Sequence, residues 1–404
     1  MDIEHICKEL EALVRNELDL RQTMEDDAIL EVIDQAILEQ TKKEYIPLPM
    51  KITIREHVFH ALRGYDCLEE LLKRNDISEI MINGYQTIFI EKHGKLMRWK
   101  QGFSSEEKYM DVIQQVVAGC NRIVNESTPI VDARLADGSR VNVVLPPIAL
   151  DGAIMTIRRF PEQTYSLDDL EELKMLSGEM KAVLALFVKS KYNIMISGGT
   201  GAGKTTFLNA LATQIAPEER IITIEDSAEL QIKGIPNLVR MEARNANVEG
   251  KNEIPIKVLI RSALRMRPDR IIVGEVRGEE ALDMLQAMNT GHSGSLSTGH
   301  ANSGMDMLYR LETMVLMGVD LPLLAIRQQI ASALDIIIHI GRIRDGSRKV
   351  LEIQEVLGMQ DGEIKLHTLY QWEEQEWRRF HYIKQSRKLE EMGYLEAYRS
   401  LYDS

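Results

Sequence analysis

A glycine-rich loop between an apolar run and a helical run constrains this fold more than any other feature of the sequence. In SGGTGAGKTT, four residues separate Gly198 from Gly203, and Lys204 and Thr205 follow directly. The apolar run YNIMIS precedes the loop and KTTFLNALATQI follows it, so the loop joins a strand to a helix. Loops of this spacing bind phosphate, because glycines let their backbone N–H groups face the phosphate oxygens. The chain therefore needs an α/β domain with this loop at the end of a strand.

Each part of the phosphate loop has a role in binding a nucleoside triphosphate with Mg²⁺. Lys204 is expected to reach the β- and γ-phosphate oxygens, and Thr205 to place its hydroxyl on Mg²⁺. The N-terminus of the following helix adds the positive end of its dipole. The residues predicted to bind the nucleotide are Gly198, Gly199, Thr200, Gly201, Ala202, Gly203, Lys204, Thr205 and Thr206.

Strand-like and helix-like runs alternate along the second half of the chain. RIITIED, RIIVGEV and GSLSTGH have the apolar character of buried strands, and helical patterns separate them. This alternation predicts a parallel sheet with helices on both faces. The sequence after residue 335 is hairpin-like around Asp345-Gly346 and Asp361-Gly362, and a short helical tail follows. We assign residues 171–404 to this domain.

The first 170 residues divide into three parts. Residues 1–60 carry two runs with helical spacing and predict a helical segment. Residues 61–160 combine short strands at glycine turns with a helical run, which predicts a smaller mixed α/β domain. Residues 161–170, PEQTYSLDDL, are polar and begin with proline, so they predict a hinge linker. Within them, Ser166 and Asp169 have the spacing of a capping box.

Composition excludes several classes of protein. The chain has 404 residues, of which 44% are hydrophobic, enough for a core in each of two or three domains. No run of about 18 apolar residues is uninterrupted, so we expect neither a membrane span nor export by a classical signal. The net charge of −13 disfavours general nucleic-acid binding. Cys7, Cys67 and Cys120 form no CxxC pair, so we expect no zinc and a reducing, cytoplasmic compartment.

Carboxylates gather where two of the predicted strands end. Glu225 and Asp226 end the run IITIED, and Glu229 follows closely. In the next strand, Gly274 stands where an aspartate commonly steadies the metal, and Glu275 follows it. The carboxyl edge of an open α/β sheet is where its ligands bind. These acids are therefore candidates for chemistry at the phosphate loop, although a solvated strand end is the competing explanation for the first cluster.

Two histidines flank the run that follows. His292 and His300 lie in NTGHSGSLSTGHANS, a stretch rich in glycine, serine and threonine. A single histidine is usually structural, but two in such a stretch are less readily explained as core residues. We interpret both as candidates for sensing the phosphate or for signalling between subunits.

These clusters, in this order, resemble the Walker A, Asp box, Walker B and His box of the type II/type IV secretion system ATPase superfamily. The stretch LRMRPDRIIVGEVRGEEALDMLQAMNTGHSGSLSTGHANS is in particular similar to the CpaF (TadA) subfamily, which powers tight-adherence (Flp) type IV pili. The resemblance covers roughly residues 65–370. It implies a homohexamer whose subunits each have an N-terminal domain and a RecA-like ATPase domain, with ATP and Mg²⁺ between them.

The resemblance also implies roles for the clustered residues. Glu275 would polarise the attacking water. Because Gly274 supplies no carboxylate, direct metal contact would fall to Thr205 and the phosphates, with waters oriented by the neighbouring acids. Those acids are Glu225, Asp226 and Glu275. The residues that match the Asp box and the His box are Glu225, Asp226, Glu229, His292 and His300.

In this superfamily, arginines of the N-terminal domain complete the site. An arginine near the γ-phosphate stabilises transition-state charge, which in other P-loop enzymes contributes on the order of 10³ or more in rate. Surface ion pairs are the competing explanation for each candidate. The candidates in the N-terminal domain are Arg134, Arg140, Arg158 and Arg159. Arg240 and Arg244, which follow the Asp box, are further candidates.

The leading hypothesis is a cytoplasmic ATPase motor that powers assembly of a type IV (Flp/Tad) pilus or related type II secretion. It would act with inner-membrane platform proteins, bind the membrane peripherally through them, and bind no nucleic acid. The same motifs fit an ATPase of conjugation or effector secretion of the VirB11 type. A nucleic-acid motor with a RecA-like core is a third hypothesis, and the acidic balance disfavours it. A nucleotide-binding regulator that barely hydrolyses ATP is a fourth.

Overall fold

A computed structural model describes most of the chain as two compact units, residues 1–161 and residues 162–404. The described residues are 6–7, 9–10, 12–14, 26–92, 95–135, 137–159, 164–244 and 253–402. The predicted N-terminal helical segment and the predicted linker at 161–170 fall in part outside them. None of the helices within these ranges is both long and apolar enough to span a membrane.

Helices form the beginning of the first unit. Residues 6–14 are helical where they are described, α1 spans Asp26–Lys43 and α2 spans Leu48–Arg63. Their apolar faces meet in a small core, which confirms the helical pattern of this segment. The buried residues of this core include Ile6, Leu10, Val14, Ile29, Ile33, Ile37, Ile54 and Val58.

An antiparallel sheet of six strands forms the rest of the first unit. The strands are β1 (Ile77–Asn83), β2 (Ile88–Lys92), β3 (Lys95–Arg98), β4 (Ile130–Arg134), β5 (Arg140–Val144) and β6 (Ile154–Arg158). Their spatial order is β3-β2-β1-β6-β5-β4. Helices α3 (Cys67–Lys73) and α4 (Glu106–Gly119) share one core with this sheet. The mixed α/β character predicted for this region is confirmed.

A nine-stranded sheet is the frame of the second unit. Its strands are β7 (Ile194–Gly198), β8 (Ile221–Glu225), β9 (Leu238–Glu242), β10 (Arg270–Val273), β11 (Leu296–Gly299), β12 (Ile336–Arg342), β13 (Arg348–Gln360), β14 (Glu363–Glu373) and β15 (Glu376–Arg379). Their spatial order is β15-β14-β13-β12-β7-β11-β10-β8-β9. The six strands from β12 to β9 pair in parallel, and β13, β14 and β15 extend the sheet in antiparallel fashion.

Helices cover both faces of this sheet, and its central strands β7, β8, β10 and β11 are buried at every position. In β7, Ile194 and Ile196 belong to one core and Met195 belongs to the other. The helices that contribute to the first core are α5 (Leu167–Glu172), α6 (Gly178–Lys189), α7 (Lys204–Ala212), α12 (Arg387–Glu391) and α13 (Leu395–Ser400). Those that contribute to the second are α8 (Ile256–Ala263), α9 (Glu280–Asn289), α10 (Gly304–Gly318) and α11 (Leu323–Ala333).

The parallel sheet predicted from the alternating pattern is confirmed in β7, β8, β10 and β11. The predicted capping box also forms, since the Asp169 N–H donates to Ser166 Oγ and the Ser166 N–H donates to Asp169 Oδ2. The pattern gave no indication of β9. That strand lies at the sheet edge, where the sequence LVRME is only partly buried and carries charges.

Buried polar groups hold the amino ends of the parallel strands. Arg270, the first residue of β10, is fully buried, and its guanidinium donates two 2.8 Å hydrogen bonds to the carboxylate of Glu219. Its Nη1 also donates to the carbonyl oxygens of Val188 and Gly294, at 2.8 and 3.2 Å. A buried charge is tolerated only when it is paired in this way. Arg270 thus joins three segments of the second unit.

Candidate functional site

Five neighbouring parallel strands end at one edge of the nine-stranded sheet. β7 ends at the phosphate loop, β8 ends at Glu225, and Gly274 and Glu275 follow β10. His300 follows β11, and Arg342 ends β12. Side chains at the carboxyl ends of adjacent parallel strands face a common crevice. The fold therefore brings together four sequence-predicted clusters and adds Arg342, which the sequence pattern did not indicate.

The phosphate loop has the conformation that its glycines permit. Gly201 and Gly203 have φ angles of +68° and +96°, in the left-handed region that favours glycine. Lys204 begins α7, and its Nζ donates to the carbonyl oxygens of Gly198 and Gly199, both at 3.1 Å. Burial lowers the pKa of the Lys204 amine. The ammonium group therefore lies against the loop that is expected to receive phosphate.

The other predicted nucleotide-binding residues flank this lysine. Thr200 is exposed on the loop and Ala202 is buried beneath it. Thr205 and Thr206 occupy the first turn of α7 and are half-buried. Their hydroxyl and backbone groups thus lie at the helix N-terminus, where anions bind.

A charged network joins the loop to the ends of β10 and β11. Nδ1 and Nε2 of His300 lie 3.3 and 3.4 Å from Lys204 Nζ. His300 Nε2 also lies 2.9 Å from Glu275 Oε1, and Arg277 Nη2 donates to Glu275 Oε2 at 2.7 Å. Burial lowers the pKa of His300 despite the nearby Glu275 carboxylate, which favours the neutral imidazole. The ring lies between a lysine and a glutamate.

Oε1 of Glu275 is a buried acceptor without a donor. His300 Nε2 is 2.9 Å away as an ion-pair neighbour, and Oε1 accepts no hydrogen bond from the residues described. Buried acceptors without donors cost free energy, so they are rare and suggest a further ligand. Since Arg277 occupies the other oxygen, Oε1 is the atom of Glu275 that suits the proton of an attacking water.

Glu225 reaches from β8 toward the end of β10. Its side chain is buried, and Oε1 accepts hydrogen bonds from the backbone N–H groups of Glu229 and Leu230, both at 2.8 Å. Burial raises the pKa of Glu225 to about 7. Its Oε2 is buried and has no hydrogen-bond partner in the described part of the chain. Thr205 Oγ1 donates to Glu229 Oε2 at 3.4 Å, which connects this cluster to the phosphate loop.

The same geometry explains why residue 274 is a glycine. A Cβ atom at this position would lie 2.8 Å from Glu225 Cγ and 3.2 Å from Glu225 Oε1. Atoms of this kind do not approach so closely, so an aspartate cannot stand at position 274 while Glu225 holds its place. The carboxylate of Glu225, which ends β8, therefore occupies the place that a carboxylate from β10 would take.

We expect Gly274→Ala to lower the free energy of unfolding of the second unit by about 1 to 3 kcal/mol. The new methyl group must displace a buried side chain whose carboxylate is fixed by two backbone N–H groups. Urea unfolding measures this change. Gly278→Ala is the matched control, because its Cβ would meet only the end of the Glu280 side chain, at 3.3 Å. Equal stability of the two variants would contradict this explanation of Gly274.

The oxygen atoms beside the loop fit Mg²⁺. This ion takes oxygen ligands, keeps several waters, and usually binds one or two carboxylates in addition to substrate phosphates. The Thr205 hydroxyl, the Glu229 carboxylate and the unpartnered Oε2 of Glu225 provide such oxygens. Across the described residues, no three His, Cys, Asp or Glu side chains are arranged to hold a metal by themselves. Phosphate oxygens would therefore complete the coordination, while Asp226 is exposed nearby.

A cavity of about 570 Å³ adjoins the first half of the phosphate loop. Gly199, Thr200 and His300 line it together with residues of α10. Its size is in the range of small-molecule sites. The remaining lining residues are Ala301, Asn302, Asp306, Tyr309, Arg310 and Thr313.

His292 lies at the opposite edge of the sheet. It precedes β11, and its Nδ1 is 3.3 Å from the carbonyl oxygen of Ala287 near the end of α9. Because β7 and β11 are parallel, the residues before β11 lie at the amino end of β7, away from the phosphate loop. The fold does not bring His292 to His300. Of its two predicted roles, phosphate sensing does not fit this position, and subunit signalling stays a prediction.

Three of the predicted arginines lie side by side in the first unit. Arg134 is directly opposite Arg140 in the β4–β5 pair, and Arg140 is directly opposite Arg158 in the β5–β6 pair. Like charges opposite each other destabilise a sheet, and at the far end of the row Glu79 of β1 lies directly opposite Arg158. Arg159 instead donates to the carbonyl oxygen of Arg74. Action of these arginines on a γ-phosphate stays a prediction.

The remaining arginines have different positions. Arg240 donates to the carbonyl oxygen of Leu230 at 3.1 Å, beside the Glu225 cluster, and the backbone of Arg244 pairs with Ile254. Sequence reasoning overlooked Arg277, Arg342 and Arg348. The sequence signal for Arg277 is its position two residues after Glu275. The signal for Arg342 and Arg348 is the concentration of cationic residues at the tip of the predicted hairpin.

Comparison with known sequences gives the family. The family described as Type II/IV secretion system protein matches residues 62–378. A putative conjugal transfer protein of Mycobacterium tuberculosis is 35% identical over 315 residues, which cover 76% of this chain and 89% of that protein. The type IV secretion system protein PtlH of Bordetella pertussis is 33% identical over 319 residues, which cover 71% of this chain and 92% of PtlH.

Comparison with solved structures agrees on the fold. The DotB ATPase of Yersinia pseudotuberculosis has a TM-score of 0.54 and 20% identity, over 73% of this chain and 79% of that chain. At this identity the likeness shows the fold alone. It confirms the predicted fold class, an α/β fold with a RecA-like domain and a smaller N-terminal domain. The chain belongs to the type II/type IV secretion system protein family.

Proposed function

We propose that this chain is an ATP-hydrolysing motor for a type IV secretion or conjugation system, acting at the cytoplasmic face of a membrane. The observation that carries hydrolysis is the buried, donor-free Oε1 of Glu275 beside the phosphate loop. The relatives named for conjugal transfer and type IV secretion support the choice of system. They favour it over the pilus-specific function suggested by the sequence resemblance.

ATP binding is proposed to begin at the phosphate loop. Backbone N–H groups of the loop and the N-terminus of α7 face the phosphates, and Lys204 exchanges its loop carbonyls for β- and γ-phosphate oxygens. Thr205 would hold Mg²⁺ with the phosphates, and Glu225 and Glu229 would hold its waters. The ion, when bound, would polarise the γ-phosphate.

Glu275 is the proposed general base. Arg277 holds one carboxylate oxygen, so the other remains directed to the water that attacks the γ-phosphate. His300 contacts both Lys204 and Glu275, and therefore connects phosphate binding to the base. A neutral ring at this position accepts or donates a hydrogen bond without adding charge.

We also propose that the protein forms a homohexamer in which arginines of the first unit complete a nucleotide site. The row formed by Arg134, Arg140 and Arg158 supports this proposal, since it places three guanidinium groups side by side on neighbouring strands. Turnover per subunit should then rise with protein concentration as subunits assemble. Turnover independent of concentration in a monomeric sample would contradict it. Inner-membrane platform proteins are the proposed partners.

Assembly of a tight-adherence pilus is the second candidate function. The stretch LRMRPDRIIVGEVRGEEALDMLQAMNTGHSGSLSTGHANS favours it. Deletion of the gene distinguishes the two candidates, because loss of DNA or protein transfer supports the first and loss of surface pili with normal transfer supports the second. Restoration should require the wild-type gene, and a Glu275→Gln allele should fail. Normal transfer and normal pili after deletion would contradict both.

A further inference from the structure

Two arginines of the β12–β13 hairpin converge on the phosphate loop. Arg342 ends β12 and Arg348 begins β13. The Nε atom of each donates to the carbonyl oxygen of Gly201, at 3.2 Å for Arg342 and 3.0 Å for Arg348. The hairpin itself is fixed beside the loop, because β12 pairs with β7 as far as Gly198.

The glycines of the loop provide the space for these arginines. A Cβ atom on Gly201 would lie 3.0 Å from Nη2 of Arg342, and one on Gly203 would lie 3.3 Å from Cδ of Arg348. The two glycines and the two arginine side chains are therefore packed against each other. In a trans peptide the carbonyl and the following N–H point in opposite directions. Holding the Gly201 carbonyl toward the hairpin therefore directs the Ala202 N–H away from it, and that N–H donates to the carbonyl oxygen of Gly199 at 3.3 Å.

The charges of this pair are not balanced by carboxylates. Both arginines are exposed, and their hydrogen bonds to Gly201 are their polar contacts within the described residues. Two guanidinium groups on one carbonyl oxygen repel each other. An anion between them would offset that repulsion, and the fork of N–H donors on a guanidinium matches phosphate oxygens.

The position of the hairpin in the sheet indicates which phosphates it meets. Glu275 and His300 follow β10 and β11, on one side of β7, and the hairpin follows β12, on the other side. If Glu275 acts at the γ-phosphate, as the proposed function requires, the nucleoside end of ATP extends toward the hairpin. We propose that Arg342 and Arg348 bind the α- and β-phosphates of the nucleotide and hold the Gly201 carbonyl oxygen on the hairpin side of the loop.

The test compares nucleotide affinity in variants of the full chain. Dissociation constants are measured with fluorescent ribose-labelled ATP and ADP in the presence of Mg²⁺. We expect Arg342→Met/Arg348→Met to weaken ATP and ADP binding by the same factor, at least roughly tenfold, because each nucleotide has both phosphates. Arg344→Met is the matched control. It removes the same charge from the tip of the same hairpin, and within the described residues Arg344 makes no hydrogen bond or ion pair to the loop. Its affinities should stay within about twofold of the wild type.

Several results would overturn the inference. One is a double variant that binds both nucleotides as tightly as Arg344→Met does. Another is a loss confined to ATP, which would move these arginines to the γ-phosphate. If Arg342→Met/Arg348→Met unfolds at a lower temperature than Arg344→Met, Arg342→Lys/Arg348→Lys is compared with the wild type instead. We expect severalfold weaker binding of both nucleotides, since an ammonium group lacks the fork, and wild-type affinity would refute the proposal. A wild-type chain that bound neither nucleotide would instead contradict the proposed function.

Discussion

Glu275→Gln should lower ATP turnover by a factor of about 10² to 10⁴ while ATP still binds. Glutamine keeps the shape of the side chain, but an amide cannot accept a proton from the attacking water. Oε1 of Glu275 has no donor among the described residues, and Arg277 holds Oε2, so no other oxygen of this residue is placed for the task. Phosphate release at saturating ATP measures turnover, and titration with a fluorescent ATP measures binding.

Glu279→Gln is the matched control for this variant. Glu279 lies four residues later and pairs with Lys257 at the surface, where exposed ion pairs contribute little. Its turnover should equal that of the wild type. If Glu275→Gln hydrolysed ATP at the wild-type rate, Glu275 would not be the base, and His300 would be the next residue to test. Loss of ATP binding in Glu275→Gln would instead indicate a structural role.

Arg270→Met should lower the free energy of unfolding of the second unit by roughly 3 to 5 kcal/mol. The variant removes a fully buried guanidinium and its four hydrogen bonds. It also leaves the carboxylate of Glu219, only 12% exposed, with the more distant Lys191 amine at 3.4 Å as its remaining ion-pair partner. Urea unfolding followed by tryptophan fluorescence measures the change. In a Trp99→Phe background, Trp372 and Trp377 report on the second unit alone.

Two further variants test the explanation for Arg270. Arg387→Met removes an arginine whose side chain is 86% exposed, and it should change the free energy of unfolding by less than about 0.5 kcal/mol. Arg270→Met/Glu219→Met removes both charges, so it should recover much of the stability lost in the single variant. A double variant less stable than Arg270→Met would show that the loss comes from packing rather than from an unpaired carboxylate.

The part of the site that the sequence predicts is formed by residues that lie close together in the chain. The phosphate loop is one strand, one turn and one helix, so its spacing alone defines it. Glu225, Glu275 and His300 follow apolar runs, and the alternation of strands and helices predicts that such runs end at one edge. Arg342 and Arg348 contact Gly201 across 141 and 147 residues, and only the order of strands in the sheet places them there.

Two other features depend on contacts that no linear pattern contains. The sequence indicates that β10 lacks a carboxylate at Gly274, but the cause is the side chain of Glu225 on the neighbouring strand. His292 and His300 both adjoin β11, and the sequence pattern does not distinguish them. A strand has two ends, and only the end at His300 faces the phosphate loop.

The replacement of a β10 carboxylate by Glu225 has a consequence for genetics. Two acids that many P-loop proteins encode as neighbours in a single strand are here encoded about fifty codons apart, at positions 225 and 275. A substitution at one position therefore leaves the sequence neighbours of the other unchanged. We expect alleles that change Glu225 to respond to increased Mg²⁺ in the growth medium, and alleles that change Glu275 to be insensitive to it. Sorting the alleles by this response would assign metal binding to the end of β8 and water activation to the end of β10 in living cells.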